Sequence, residues 1–184
     1  MILGIDPGFA SCGYALLELD KEDVPRFSFA GVVRTQKTHL KIPLYTDNVQ
    51  RTQIIYEHLK TFAHTAIFFA VEAESWTRMP SDKLLGLARG AIYGLAYELG
   101  AGLEQYGPKE IKREFVDSAS ASKGALEEKI LELHPELVAL LEPLPKTQRA
   151  HASDAAACAL MAFRKSNYVR AYLRRRHTNQ IRKD

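Results

Sequence analysis

The run Ala66-Ile67-Phe68-Phe69-Ala70-Val71, closed by Glu72, constrains this chain more than any other feature. It is far below the roughly 20 apolar residues needed to cross a bilayer. It also has no polar face to offer solvent. A strand covered on both sides satisfies it, as in the parallel sheets of α/β proteins. The rest of the chain must therefore supply helices for two faces, and it does so after a change of period. Residues 2–5, 12–19 and 27–33 are short apolar runs separated by turns, of which Asp6-Pro7-Gly8 is the sharpest. Their close spacing predicts an antiparallel meander. Over residues 45–63, Val49, Ile54, Ile55, Leu59 and Phe62 fall at helical spacings, with Thr46 or Asp47 as the cap.

Ser81 caps a helix predicted over residues 83–99, with Gly86, Gly90 and Gly94 on one stripe and Leu84, Leu87, Ala91 and Leu95 near another. Lys83, Arg89 and Glu98 exclude membrane insertion, so the glycines predict close approach of a sheet or a partner helix. A fifth strand follows at residues 103–106, then a basic helix opened by Pro108 and running to Phe115. After a loop at 117–122, helices are predicted at 123–133 and 135–141, with a Pro-rich turn at 143–145. The last helix starts near Gln148 and runs past Phe163 toward the tail. This order is that of an α/β domain with a ribonuclease-H-like mixed five-stranded sheet flanked by helices. The domain is expected over residues 1–165, with a basic C-terminal tail at 166–184.

The formal charge of +3 hides an asymmetry. Residues 164–184 carry eight basic side chains against Asp184, a net +7, whereas the remaining 163 residues carry 17 basic and 21 acidic groups, a net −4. A mildly acidic body with a basic end suits nucleic acid or another anionic partner. Two cysteines, Cys12 and Cys158, exclude a disulfide framework. Asp6 and Pro7 interrupt the apolar start, so no signal peptide is expected, and the chain reads as cytoplasmic with no membrane partner.

Three acids end apolar elements. Asp6 closes the first strand, Glu72 closes the buried strand, and Asp154 lies one helical turn after His151. In this fold order the first and fourth strands are neighbours, and the last helix brings Asp154 and His151 over their ends. Singly, each has a plain explanation: a turn, the exit of a sheet, a helix-end pair. Jointly they form a cluster of carboxylates that repel one another unless a hard divalent cation joins them. Oxygen donors suit Mg²⁺ or Mn²⁺, and such a cluster is the apparatus of two-metal phosphodiester hydrolysis.

At these residues the chain resembles the RuvC family of Holliday-junction resolvases. The segment Ile2-Leu3-Gly4-Ile5-Asp6-Pro7-Gly8, followed by Gly13-Tyr14, is similar to the family's opening, and Val71-Glu72 to its second acidic position. Leu85-Gly86-Leu87-Ala88-Arg89-Gly90, Tyr106-Gly107-Pro108-Lys109-Glu110-Ile111-Lys112 with Lys123, and His151-Ala152-Ser153-Asp154-Ala155-Ala156 follow in the family's order. The similarity runs over about residues 2–163. It implies a homodimeric, Mg²⁺-dependent endonuclease that nicks opposed strands of a four-way DNA junction, with Mn²⁺ as a substitute and two ions per site. It assigns metal binding to Asp6, Glu72 and Asp154. His151 occupies a position held by Asp or His in the family and is expected to ligate metal or orient the attacking water. Lys123 is expected to neutralise the reacting phosphate, and Lys112, Arg113, Arg89, Trp76 and Arg78 to contact DNA. Trp76 lies one position from the family's junction-probing aromatic, and a core role is the alternative.

The expected products are a 5′-phosphate and a 3′-hydroxyl. Two other readings stand beside this one. One is a nuclease of the same fold acting on forks, other branched DNA or RNA–DNA hybrids. The other is a non-catalytic DNA-binding assembly protein, which has little reason to keep acids that repel phosphate. A branch-migration helicase as partner is compatible with these residues but not specified by them. The tail is expected to be either a DNA-binding arm or a solvated, disordered end.

Overall fold

The computed structural model describes residues 1–20, 22, 24–39, 41–73 and 81–181. Along the chain these form β1 (Ile2–Asp6), β2 (Ser11–Leu19), β3 (Pro25–Arg34), α1 (Leu44–Ala63), β4 (Phe68–Glu72) and α2 (Ser81–Glu98). There follow β5 (Gly102–Tyr106), α3 (Pro108–Val116), α4 (Lys123–Leu133), α5 (Glu136–Leu141), α6 (Lys146–Lys165) and α7 (Asn167–Ile181). The strands make one five-stranded sheet in the order β3-β2-β1-β4-β5. The meander β1–β2–β3 is antiparallel, as its short turns require, while β1, β4 and β5 are parallel and joined by helical crossovers.

The apolar run that closes at Glu72 behaves as its composition demands. Phe69 and Val71 pack with Ile55 and Leu59 of α1 and Ile92 and Leu95 of α2. Phe68 and Ala70 face the other way, onto Ala155, Ala159 and Met161 of α6, with Ile130 and Leu137 completing that layer. Two cores thus sandwich the sheet, as the fold class predicts. Among the described residues, no helix is long and apolar enough to cross a membrane.

Three expectations are corrected and one, the third below, is narrowed. Neither Thr46 nor Asp47 caps α1: Pro43, which has no side-chain oxygen to offer, holds that position, and Asp47 is buried one turn later, accepting the Thr38 N–H at 2.9 Å. Val49 and Ile54 do not face the core. They are 65% and 49% exposed, because the buried stripe of α1 runs through Asp47, Ile55, Leu59 and Ala63 instead. The glycine stripe of α2 meets no sheet among the described residues, since a Cβ at Gly86, Gly90 or Gly94 would have none of them within 4 Å, and the partner helix is the alternative that stays open. The tail is not a disordered end over its described length. The chain breaks at Ser166 and continues as α7, with Val169 fully buried in the α6 core.

Candidate metal centre and active site

β1 and β4 run parallel with Ile5 opposite Val71, so Asp6 and Glu72 leave the same edge of the sheet side by side. α6 lies across both strands and presents its first turns at that edge. It comes this close because β1 and β2 carry glycine where it crosses. A Cβ would sit 2.0 Å from the Ala155 carbonyl oxygen at Gly4 and 2.1 Å from the His151 carbonyl oxygen at Gly13. The helix answers with alanine: Ala152, Ala155, Ala156 and Ala159 are all fully buried.

This packing delivers Asp154 to the two strand-borne acids. Asp6, Glu72 and Asp154 each offer one carboxylate oxygen, and these oxygens lie within 4.8 Å of one another. Asp6 is 8% and Asp154 7% exposed. The electrostatic consequence falls on Glu72, whose pKa is pushed up to about 9 by burial first and then by the Asp6 charge and hydrogen bond. Burial also raises Asp154, against the pull of Lys123.

A histidine and a lysine flank the acids. His151 Nδ1 lies 2.6 Å from Asp6 Oδ2, and that hydrogen bond raises the imidazole pKa. Lys123 is the first residue of α4, after a cap in which Ser122 Oγ accepts the Ala125 N–H at 3.1 Å. Its Nζ reaches Asp154 Oδ2 at 3.3 Å while the side chain stays 67% exposed, and the Asp154 charge raises its pKa. The donor set is hard oxygen, concentrated and under-neutralised, which fits a divalent cation such as Mg²⁺ or Mn²⁺. Cys12 and Cys158 are free and buried, and burial lifts the Cys12 thiol to about 12, so neither offers a thiolate.

The basic residues expected at DNA separate into groups. On α3, which starts directly after β5 at this edge, Arg113 is exposed and Lys112 half-buried. Trp76 and Arg78 lie outside the described residues. Arg89, expected at DNA, is turned inward in this structure. It is 8% exposed, and its Nη2 donates to the Glu72 carbonyl oxygen at 2.8 Å while Nη1 reaches Tyr93 Oη at 3.0 Å and Gln105 Oε1 at 3.3 Å. Arg89 therefore braces the end of β4. Its signal in the sequence was a guanidinium directly after Ala88 on the buried stripe of α2. Gly4 and Gly13 were likewise missed as site-forming residues, although each interrupts an otherwise bulky strand.

The family model of crossover junction endodeoxyribonuclease RuvC matches residues 2–162. A RuvC of Heliobacterium modesticaldum is 31% identical over 149 residues, covering 79% of this chain and 84% of the relative. One from a Psychrobacter species is 30% identical over 161 residues, covering 87% and 78%. The structure of Thermus thermophilus RuvC superposes with a TM-score of 0.63 at 25% identity, over 86% of this chain and 90% of that one. The yeast mitochondrial Holliday junction resolvase shares the fold, with a TM-score of 0.62 at 13% identity over 93% of this chain and 85% of that one. The matched span holds the whole sheet, the three acids, His151 and Lys123, and the chain belongs to the RuvC family of crossover junction endodeoxyribonucleases.

Proposed function

We propose that this chain is a metal-dependent endonuclease that resolves four-way DNA junctions by paired nicks, leaving 5′-phosphate and 3′-hydroxyl ends. The observation that carries the reading is the cluster of Asp6, Glu72 and Asp154 oxygens within 4.8 Å, beside an exposed lysine, in a chain of this family. These carboxylates would hold two Mg²⁺ ions, with Mn²⁺ as substitute; when bound, such ions acidify a water and stabilise the leaving oxyanion. His151 steadies the Asp6 carboxylate through Nδ1, and its half-exposed ring can carry a proton away from the site. Lys123 offers an ammonium to the charge that develops on the phosphate. Lys112 and Arg113 on α3 hold the flanking backbone.

Opposed nicks need two sites, and the outer face of α2 supports a homodimer. Beside its open glycine stripe, Leu87 is 40% exposed, and a groove of about 550 Å³ between α1 and α2 is lined by Tyr45, Val49, Tyr56, Leu87 and Ala91. An exposed apolar face of this kind calls for a partner, and a second copy supplies the second site.

Side-by-side cleavage of four-way, Y-shaped and RNA–DNA hybrid substrates, with and without Mg²⁺, tests the reading. The wild type is expected to cut the four-way junction in a metal-dependent manner, and Asp6→Asn to abolish cutting while retaining junction binding. A pure Asp6→Asn sample that still cleaves would overturn the assignment, and preferential cutting of hybrid or Y-shaped DNA would overturn the junction selectivity.

A further inference from the structure

We propose that α7 is a second phosphate-binding surface, which holds duplex DNA at the end of the molecule opposite the acids. The proposal rests on branched DNA as the substrate and goes beyond the family, because α7 lies outside the span matched at residues 2–162.

α7 is a docked element. Ser166, 1% exposed, locks its root: the Ser166 N–H donates to the Ala162 carbonyl oxygen at 3.0 Å, and Oγ donates to Glu104 Oε1 at 2.9 Å. The same Oγ accepts the Val169 N–H at 3.3 Å. Tyr168 packs on Phe68 at the start of β4, with ring centroids 5.4 Å apart. Further along, Arg176 Nη2 donates to the Asp20 carbonyl oxygen at 2.9 Å, just beyond the end of β2. The helix thus crosses the end of the sheet where β4 begins and β2 finishes, away from Asp6 and Glu72.

Its outward side is cationic. Arg170, Arg174 and Arg175 are exposed, the helix contains no acid, and among the described residues no carboxylate pairs with these three. Like charges at i, i+4 destabilise a helix that has no counter-charge. A polyanion relieves that repulsion, and guanidinium groups match phosphate oxygens bidentately. A membrane surface fits poorly, because a surface helix must insert an apolar face, and Val169 and Leu173 of α7 are already spent on the core. The basic path also continues toward the catalytic edge. Arg164 and Lys165, at the end of α6, are tied at 3.3 and 2.8 Å to Glu114 of α3, next to the exposed Arg113. From Asp154 to Lys165 the helix rises ~16 Å at 1.5 Å per residue, on the order of five base pairs of duplex at 3.4 Å each.

The test uses the full chain, the triple variant R170Q/R174Q/R175Q, and the double variant R174Q/R175Q, which spares the Arg170 bond to the Arg164 carbonyl oxygen. Thermal melting checks that all three are folded. Affinity for a four-way junction with 20-bp arms and for a linear 40-bp duplex is measured across a salt series, together with single-turnover cleavage at saturating protein. Each phosphate that an arginine no longer neutralises is expected to flatten the log–log salt slope by about 0.9, so the double variant falls by up to about two units and the triple by up to about three. Affinity at moderate salt is expected to drop by roughly tenfold or more, with the saturated cleavage rate unchanged. Unchanged slopes on both DNAs would overturn the proposal, as would an effect of the same arginines on binding to phosphatidylglycerol vesicles alone. A wild type that binds both DNAs through α7 yet cuts no junction would uphold this surface and refute the junction-resolving function instead.

Discussion

Glu72 leaves β4 beside the Asp6 carboxylate, and the fold keeps its proton to about pH 9. The unfolded chain releases that proton near 4.5, so between the two values the folded state binds the extra proton and rising pH favours unfolding. Asp154 and His151, both raised, act in the same direction. The melting temperature of metal-free protein is therefore expected to fall from pH 5 to pH 9 and to recover on addition of Mg²⁺, with Glu72→Gln flattening the profile. Scanning calorimetry with and without Mg²⁺ checks this, and a profile that rises with pH would refute it. The three acids were legible in the sequence because each stands at one end of a run of apolar residues, Asp6 and Glu72 after theirs and Asp154 before residues 155–163, where a charge has no packing reason to be. Arg89 was not legible as a brace. Nothing local shows whether a helix-borne guanidinium points to solvent or to a backbone carbonyl; the position of β4 beside α2 decides it.

α2 works on two sides. Inward, Arg89 holds the carbonyl of Glu72; outward, Leu87 and the glycines stand open. Arg89→Met would leave the Glu72 carbonyl oxygen without its guanidinium donor, a loss of about 1–3 kcal/mol. It is expected to weaken Mg²⁺ activation, with cleavage partly restored at high Mg²⁺; a metal titration of the cleavage rate reads both. On the outward side, Leu87→Glu is expected to yield monomers with an intact fold, measured by sedimentation velocity and circular dichroism. The periodicity of α1 located the helix but misjudged its faces. Val49 and Ile54 are as apolar as Ile55 and Leu59, and composition alone does not say which stripe meets the sheet and which stays open for a partner. The same holds for Asp47, whose burial depends on the Thr38 amide that meets it.

The whole molecule joins an acidic edge to a basic opposite end through one helix, α6. The charge split at residue 163 was visible in the sequence, but the packing of the tail was not, because α7 has few apolar residues and its anchor points lie far away in the chain. Truncation after Lys165 would uncover the core around Val169, which is fully buried, a loss of roughly 2–3 kcal/mol. The expected fall in melting temperature is about 4–12 °C for a chain of this size, and differential scanning fluorimetry checks it. The crossing of α6 over Gly4 and Gly13 bears on how such a protein can change through mutation. An acid in the cluster has a chemical neighbour, since Asp and Glu both carry a carboxylate. At the two glycines even one methyl group would collide with a backbone oxygen, so no conservative exchange exists there. In a saturation library selected for folding alone, with no DNA and no metal, positions 4 and 13 should be emptied of every alternative, whereas Asp6, Glu72 and Asp154 should admit neutral side chains freely.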